Sequence, residues 1–256
     1  MPGEAAPDRT VIRIGGADRA EFLQGLVTND IRRLAEGPVY AALLSPQGKY
    51  LADFLLIAQG DGILLDVKDN LAEALLRRLQ MYRLRADVRI EPTAIRVSRG
   101  LGEPPPGAVP DPRHAALGWR LYADAAGGPA SVDWDGIRVA NCIPESGIEL
   151  VPEQTFILEA GFERLHGVDH RKGCYVGQEV TARMKHKTEL RKGLVTVEVE
   201  GAAATGDAIT ANGKPAGTLH TRAGNRAIAY LRYDRARGTM QAGDALVRWA
   251  DAPTVA

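Results

Sequence analysis

The last quarter of the sequence constrains the fold most, because its pattern changes abruptly after Lys192. Short segments that alternate apolar and polar residues are separated there by turn-forming residues, which is typical of consecutive antiparallel strands. Such short strands bury enough apolar surface when the sheet closes on itself, so the pattern predicts a small β-barrel of about 60 residues. The predicted strands lie at residues 194–199, 208–210, 217–220, 227–231 and 246–249.

The first half of the chain mixes strand and helix patterns and predicts a different architecture. Apolar residues recur at helical spacing in some segments and form short runs between turn residues in others. The order β, α, β, β, β, α predicts an α+β fold in which helices cover a sheet. The predicted elements are a strand at 11–14, a helix capped by Asp18 that runs through Leu26, strands at 39–44, 50–57 and 63–67, and a helix at 70–83.

A proline-rich stretch at residues 101–113 separates this region from a second group of elements. Its five prolines and two glycines are typical of a loop. A strand at 117–122 and a helix at 132–140 follow it. We therefore predict two domains: residues 1–192 with two α+β stretches, and residues 193–256 as the barrel.

Charge and cysteine content exclude several classes of protein. The 32 basic and 32 acidic residues give a formal net charge of zero, which argues against binding of nucleic acid through the net charge of the whole protein. Cys142 and Cys174 are too few for a disulfide-stapled secreted scaffold. No secretory pattern opens the sequence, and the apolar run at 54–58 is much shorter than the about 20 residues that span a bilayer. These features predict a cytoplasmic protein without a membrane partner.

The densest run of unusual residues surrounds Cys174. Gly173 and Gly177 permit tight backbone geometry on either side of it, and a helix is predicted to begin at Gly177. A helix N-terminus and neighbouring cations favour the thiolate, which acts as a nucleophile or a metal ligand. Lys172 and Arg183 are the candidate cations. The alternative is a small buried cysteine in a glycine-rich turn, which the flanking charges make less favoured.

The string KGCYVGQE at residues 172–179 resembles the signature of the YgfZ family, folate-binding relatives of the glycine cleavage T-protein that serve in iron–sulfur cluster assembly or repair. Residues 22–30 (FLQGLVTND) and 44–54 (LSPQGKYLADF) are also similar to that family. The resemblance implies an aminomethyltransferase-like fold of two α+β lobes and a C-terminal small β-barrel, with Cys174 as the functional thiol. It implies tetrahydrofolate or a derivative as cofactor, contacted by Lys172, Gly173, Tyr175, Gly177, Gln178, Glu179, Arg183 and Asp53.

Three functions stay open on these grounds. The leading hypothesis is a folate-dependent accessory factor that works with iron–sulfur proteins or their assembly machinery. The first alternative is a tetrahydrofolate-dependent one-carbon transferase. The second is an RNA-binding accessory to tRNA modification, which would use residues 171–192 with seven basic side chains, two acidic ones and a net charge of +5. RNA is less favoured because the charges lack interleaved aromatic residues.

No resident metal is predicted. An iron–sulfur cluster held by one chain usually takes four thiolates or a mixture of thiolates and histidines, and two cysteines do not supply that set. His166 and His170 are four residues apart, but Gly167 stands where a zinc-protease motif has its acidic residue, and this glycine also disfavours a helix between them. A cluster contacted by this protein is therefore expected to take further ligands from a partner or a second copy.

Overall fold

The computed structural model describes residues 3–187 and 189–250, and this part of the chain forms two compact units. The second unit contains the barrel and also segments from before residue 192. The compact units thus divide the chain differently from the predicted domains, and the domain boundary at residue 192 stays a prediction. The first unit comprises the described residues through Val132 with Pro152–Gln154 and Phe162–Ala182, and the second comprises Asp133–Val151, Thr155–Gly161 and the described residues from Arg183 onward.

The first unit contains two antiparallel sheets and the helices that accompany them. Its elements are β1 (Glu4–Ala5), β2 (Arg9–Gly15), α1 (Arg19–Gln24), β3 (Val39–Leu44), β4 (Tyr50–Gln59), β5 (Gly62–Lys68), α2 (Asp69–Arg83), β6 (Arg89–Pro92), β7 (Arg96–Gly100), β8 (Val109–Pro110) and β9 (Trp119–Ala123). One sheet has the order β3-β4-β5-β2-β6 and the other has the order β1-β7-β9-β8. Short 3₁₀ helices lie at Ile31–Ala35 and Ala115–Leu117.

Three neighbouring strands of the five-stranded sheet are mostly apolar on both faces, and they lie at one side of the sheet. Strands β3, β4 and β5 are buried over almost their whole length, which explains why their sequences form apolar runs instead of alternating. α2 buries Leu71, Leu75 and Leu79, which recur every four residues and therefore lie on one face of the helix. The predicted β-hairpin, the third strand and this helix are confirmed.

Two predictions for the first unit were wrong in detail. α1 ends at Gln24, so Leu26 lies beyond the helix. The Asp18 side chain does not cap α1, because its Oδ2 accepts a hydrogen bond from the Asp87 N–H at 2.8 Å. The loop before α1 is thereby joined to the loop after α2, a contact between distant residues that helix-start rules do not consider.

The second unit contains the closed barrel that the sequence predicts. Its helix α3 covers Trp134–Ala140, and α4 covers Gln178–Lys187, beginning in the first unit. The barrel order is β10-β13-β12-β11-β14-β15, with β10 (Lys192–Glu200), β11 (Ala208–Ala211), β12 (Lys214–Ala223), β13 (Arg226–Arg232), β14 (Thr239–Ala242) and β15 (Ala245–Arg248). Sequence patterning missed β14, whose four residues offer only Met240 and Ala242 as an alternating apolar pair.

A buried carboxylate joins the segment after α3 to the barrel. Glu149 Oε1 accepts hydrogen bonds from the Thr221 N–H at 3.1 Å and from the Thr221 hydroxyl at 2.5 Å. Its Oε2 accepts from the Glu145 N–H at 2.8 Å and from Arg138 at 3.3 Å. The charge of Glu149 is thus paired and hydrogen-bonded, as a buried carboxylate requires. None of the helices in the described ranges combines the length and apolarity needed to cross a bilayer.

Candidate functional site

Cys174 lies in a tight turn, residues 172–178, which we call the cysteine turn. Gly173 and Gly177 both have left-handed backbone angles, with φ of +100° and +82°, a region that glycine enters without steric cost. Gln178 closes the turn, because its Oε1 accepts from the Tyr175 N–H and its own N–H donates to the Tyr175 carbonyl, each at 3.2 Å. The Cys174 side chain is exposed, as predicted.

The cysteine turn rests on the connection between β3 and β4, residues 45–49, which we call the hairpin turn. A Cβ atom added to Gly177 would lie 2.5 Å from the Ser45 carbonyl oxygen, and one added to Gly48 would lie 2.7 Å from Val180 Cβ. A Cβ atom on Gly173 would meet no atom within 4 Å among the described residues. Gly177 is therefore required by close packing as well as by its φ angle, whereas Gly173 is required by φ alone.

Lys172, the first residue of the cysteine turn, is buried, with 6% of its surface exposed. Its Nζ donates to the carbonyl oxygens of Gln24 and Val27, the second at 2.8 Å, and lies 5.0 Å from the centroid of the Tyr175 ring. Burial lowers the pKa of Lys172 to about 8, against the opposing effect of the Asp30 carboxylate. The cation expected to assist Cys174 is therefore anchored in the protein, and its contact with folate stays a prediction.

The segment Gln24–Ile31, which we call the clamp segment, fixes the chain that leads into the cysteine turn. Thr28 Oγ1 donates to the Gly167 carbonyl at 2.7 Å, and the Thr28 carbonyl accepts from the Asp169 N–H at 3.0 Å. Asn29 Nδ2 donates to the carbonyls of His166 at 2.6 Å and Tyr40 at 2.8 Å. The sequence analysis assigned no role to these polar side chains. The signal available there was the run of three small polar residues, 28–30, directly after an apolar pair.

Asp53 lies on β4 with both carboxylate oxygens hydrogen-bonded. Tyr50 donates its hydroxyl to Oδ1 at 2.7 Å, and Tyr40 on β3 donates to Oδ2 at 3.0 Å. Residues 50 and 53 would point to opposite faces of a regular strand. A β-bulge shifts the register, since Leu43 pairs with Ala52 and Leu44 pairs with Tyr50, and the extra residue brings Tyr50 to the face of Asp53.

The surroundings of Asp53 keep the Tyr40 phenol protonated. Burial raises the pKa of Tyr40 well above its usual value, and the charge of Asp53 raises it further. The Arg113 guanidinium lies 5.7 Å from the centroid of the Tyr40 ring. Asp53 itself is only 4% exposed. The family resemblance implied Asp53 as a ligand-binding residue but did not indicate that two tyrosines would orient it.

The other predicted ligand-binding residues divide between buried and exposed positions. Tyr175 is buried, and its burial raises the pKa of its phenol. Glu179 is exposed in the first turn of α4. Arg183 is also exposed, but it belongs to the second unit, so its predicted pairing with Lys172 on one carboxylate stays a prediction.

The basic stretch at residues 171–192 does not present all its charges on one exposed face. Lys172 is buried, whereas Arg171, Arg183 and Arg191 are exposed. Lys192 is half-buried, and its Nζ lies 6.0 Å from the centroid of the Tyr230 ring. The side chain of Lys187 lies outside the described part of the structure.

The two histidines near the cysteine turn make no metal site with other described residues. His170 Nε2 lies 3.0 Å from Glu163 Oε1. Within residues 3–187 and 189–250, no three side chains of His, Cys, Asp or Glu form a group that could hold a metal ion. Chemically, the site offers one accessible thiol and, two residues before it, a lysine anchored by backbone carbonyls. It can attack an electrophile, or lend one thiolate to a metal that is bound mainly by another molecule.

Known proteins resemble this chain in sequence and in fold. Residues 191–255 match a family model described as CAF17, C-terminal beta-barrel domain. The iron-sulfur cluster assembly factors IBA57, mitochondrial, of Homo sapiens and Mus musculus are each 31% identical to it, over 91% of this chain and 78% of the relative. The glycine cleavage system aminomethyltransferase T of Bartonella henselae superposes with a TM-score of 0.73 at 14% identity, covering 95% of this chain and 82% of that one.

These resemblances decide two of the sequence predictions. The aminomethyltransferase-like α+β fold with a C-terminal small β-barrel is confirmed by the superposition and by the barrel family match. The predicted cytoplasmic location is wrong on this evidence, because the human, mouse and Mycosarcoma maydis relatives are all named as mitochondrial proteins. Composition and cysteine content distinguish secreted proteins from proteins of reducing compartments. They do not distinguish one reducing compartment from another.

Proposed function

The chain belongs to the CAF17/IBA57 family, and on that premise we propose that it is an accessory factor in iron–sulfur cluster assembly or repair that uses a folate. The relatives named as iron–sulfur cluster assembly factors align with nine-tenths of the chain. The observation that carries the proposal for this site is the exposed thiol of Cys174, which the first unit presents in a tight turn between two glycines of positive φ. Its partners are iron–sulfur proteins or their assembly machinery, and the narrower YgfZ-like role rests on the sequence of that turn.

Cys174 is proposed to act on a cluster that another protein carries. A thiolate is a natural iron ligand, but a cluster usually takes four protein ligands. In residues 3–187 and 189–250, no three side chains of His, Cys, Asp or Glu come together as a group that could hold a metal ion, so Cys174 has no such set around it. Cys174 therefore supplies one ligand during transfer or repair, and the partner supplies the others.

The folate is proposed to bind near Asp53. A folate bound there supplies a reduced pterin, whose ring N–H groups need a hydrogen-bond acceptor. The Asp53 carboxylate is of the right chemical type, because carboxylate oxygens accept hydrogen bonds from N–H groups. Tyr40 and Tyr50 orient it. Lys172 and Gln178, by contrast, use polar atoms to build the cysteine turn, and the exposed Glu179 and Arg183 are the remaining charged candidates.

The two cysteines provide a matched test of the thiol. Cells that lack the endogenous protein receive Cys174→Ala or Cys142→Ser, and the activities of iron–sulfur enzymes are measured. We expect Cys174→Ala to fold normally but to lose support of these enzymes, and Cys142→Ser to support them fully. Iodoacetamide should also label the exposed Cys174 before the half-buried Cys142. Full complementation by Cys174→Ala, or faster labelling of Cys142, would contradict the proposed role of the thiol.

Thermal melting separates folate from RNA as the ligand. Tetrahydrofolate should raise the melting temperature by mass action, and Asp53→Asn should reduce that shift. Transfer RNA should stabilise the protein only at low salt if it binds through phosphate contacts. If saturating tetrahydrofolate leaves the melting temperature unchanged while transfer RNA raises it at low salt, the folate proposal fails and the RNA alternative is favoured.

A further inference from the structure

The end of α2 carries an unusual concentration of exposed apolar side chains. Met81, Tyr82 and Leu84 are 75%, 36% and 86% exposed. The described part of the chain has only three other large apolar residues with comparable exposure, and these lie far apart in sequence. We call residues 80–85 the α2 tip patch. Single exposed apolar residues are ordinary, but a contiguous group marks an interaction surface.

Helix packing does not explain why these residues are apolar. α2 packs on the sheet through Leu71, Leu75 and Leu79, so its apolar face is already used. Leu84 follows the last helical residue and has a positive φ of +45° with ψ of −110°. A bulky residue is rare in that conformation, and glycine usually stands there. The backbone is therefore strained at Leu84, which is also the most exposed leucine among the described residues.

The α2 tip patch is also basic. Arg77 pairs with Glu73, and Arg78 lies 3.4 Å from Glu153. Arg83 and Arg85, which flank Leu84, make no ion pair with any carboxylate in residues 3–187 or 189–250. Two uncompensated guanidinium groups therefore surround the exposed leucine. Guanidinium groups bind carboxylates in a bidentate manner, which favours an acidic partner.

We propose that the α2 tip patch is a docking surface for a protein that presents carboxylates around an apolar depression. Leu84 and Met81 enter the depression, and Arg83 and Arg85 pair with the surrounding carboxylates. Tyrosine, methionine and arginine are the residue types enriched where protein interfaces are most buried. The proposal rests on this surface and does not depend on the iron–sulfur role.

Two other occupants suit the α2 tip patch less well. An amphipathic helix that lies on a membrane needs a free apolar face along its length, and the apolar face of α2 is buried against the sheet. A second copy of the chain docked patch to patch would bring the unpaired Arg83 and Arg85 against their own equivalents. Like charges at such an interface are unfavourable.

Site-specific photocrosslinking tests the proposal. A benzophenone amino acid replaces Leu84 in the full-length chain and, as a matched control, the exposed Leu101. After irradiation in cells, the protein joined to position 84 is identified, purified and titrated against the unmodified chain by calorimetry at two salt concentrations. We expect one acidic protein to be captured at position 84 and not at position 101.

Surface variants then decide whether the contact is specific. Leu84→Ser should weaken binding of the captured protein about tenfold, and the double variant Arg83→Glu, Arg85→Glu should weaken it and reduce its salt dependence. Leu101→Ser and Arg237→Glu should leave the affinity unchanged, as should Cys174→Ala, which tests the iron–sulfur role separately. Equal capture at both positions, capture of a second copy, or binding of phosphatidylserine vesicles that Leu84→Ser abolishes would each overturn the proposal.

Discussion

Substitution of Gly177 by alanine tests whether the cysteine turn is held by the hairpin turn. Alanine at φ +82° enters the left-handed region at a cost of about 1–2 kcal/mol. Its Cβ would also lie 2.5 Å from the Ser45 carbonyl oxygen, so the backbone must shift. Overpacking of this kind costs about 1–3 kcal/mol. We therefore expect Gly177→Ala to lower the free energy of unfolding by about 2–5 kcal/mol.

Gly173→Ala is the matched control for this prediction. Its φ of +100° imposes a similar backbone strain, but its added Cβ meets no described atom within 4 Å. Any gain from restricting the unfolded chain is common to both alanines and cancels in the comparison. The free energies of unfolding of the two variants should therefore differ by the packing contribution alone, about 1–3 kcal/mol.

Urea unfolding followed by circular dichroism measures this difference, and hydrogen exchange shows where it arises. In Gly177→Ala, the amides of the hairpin turn and the first turn of α4 should exchange faster than in Gly173→Ala. Such local opening is expected because the added Cβ meets Ser45 and Gly48 of the hairpin turn and Leu44 at the end of β3, and α4 begins at the next residue. Equal free energies of unfolding and equal exchange in the two variants would refute the inference that the cysteine turn is packed against the hairpin turn.

Two further predictions concern buried polar groups. The pKa of Lys172 is about 8 in the folded protein against 10.5 as its ordinary value, so the unfolded chain binds more protons between these pH values, and stability should rise with pH there. In Lys172→Met this rise should vanish. If the free energies of unfolding of the two proteins change in parallel from pH 7.5 to 10, the prediction is wrong. Tyr50→Phe removes the 2.7 Å hydrogen bond to buried Asp53 and should lower the free energy of unfolding by about 1.5–3 kcal/mol. A melting temperature equal to that of the unmodified protein would show that this hydrogen bond contributes nothing.

The barrel and the main sheet were predictable because their signals are local. Alternating residues within each barrel strand carry the information, and the helical repeat of Leu71, Leu75 and Leu79 lies within a single helix. β14 escaped notice because a four-residue strand has too few positions to show a period. Exposure of Cys174 was also predictable, since the adjacent glycines imply a turn.

The environment of the candidate site was less predictable because it depends on distant residues. The Lys172 ammonium group donates to the carbonyl oxygens of Gln24 and Val27, which lie about 145 residues earlier in the chain. No sequence pattern links these residues to Lys172. Asp53 meets Tyr50 only because a β-bulge changes the face of the strand. A period-two pattern assigns these residues to opposite faces, so regular strand geometry gives the wrong neighbour for Asp53.

The hydrogen bonds of Glu149 imply an order of events during synthesis on the ribosome. The first unit is complete once Ala182 has emerged, whereas Glu149 must await Thr221, which is made 72 residues later. At about 5–20 residues per second, that interval lasts roughly 4–14 s. During it, Glu149 has neither hydrogen bond from Thr221, so the segment after α3 stays incomplete until Thr221 has been made. A ribosome that stalls between Ala182 and Thr221 would therefore hold a chain that contains every residue of the first unit but lacks the barrel partner of Glu149.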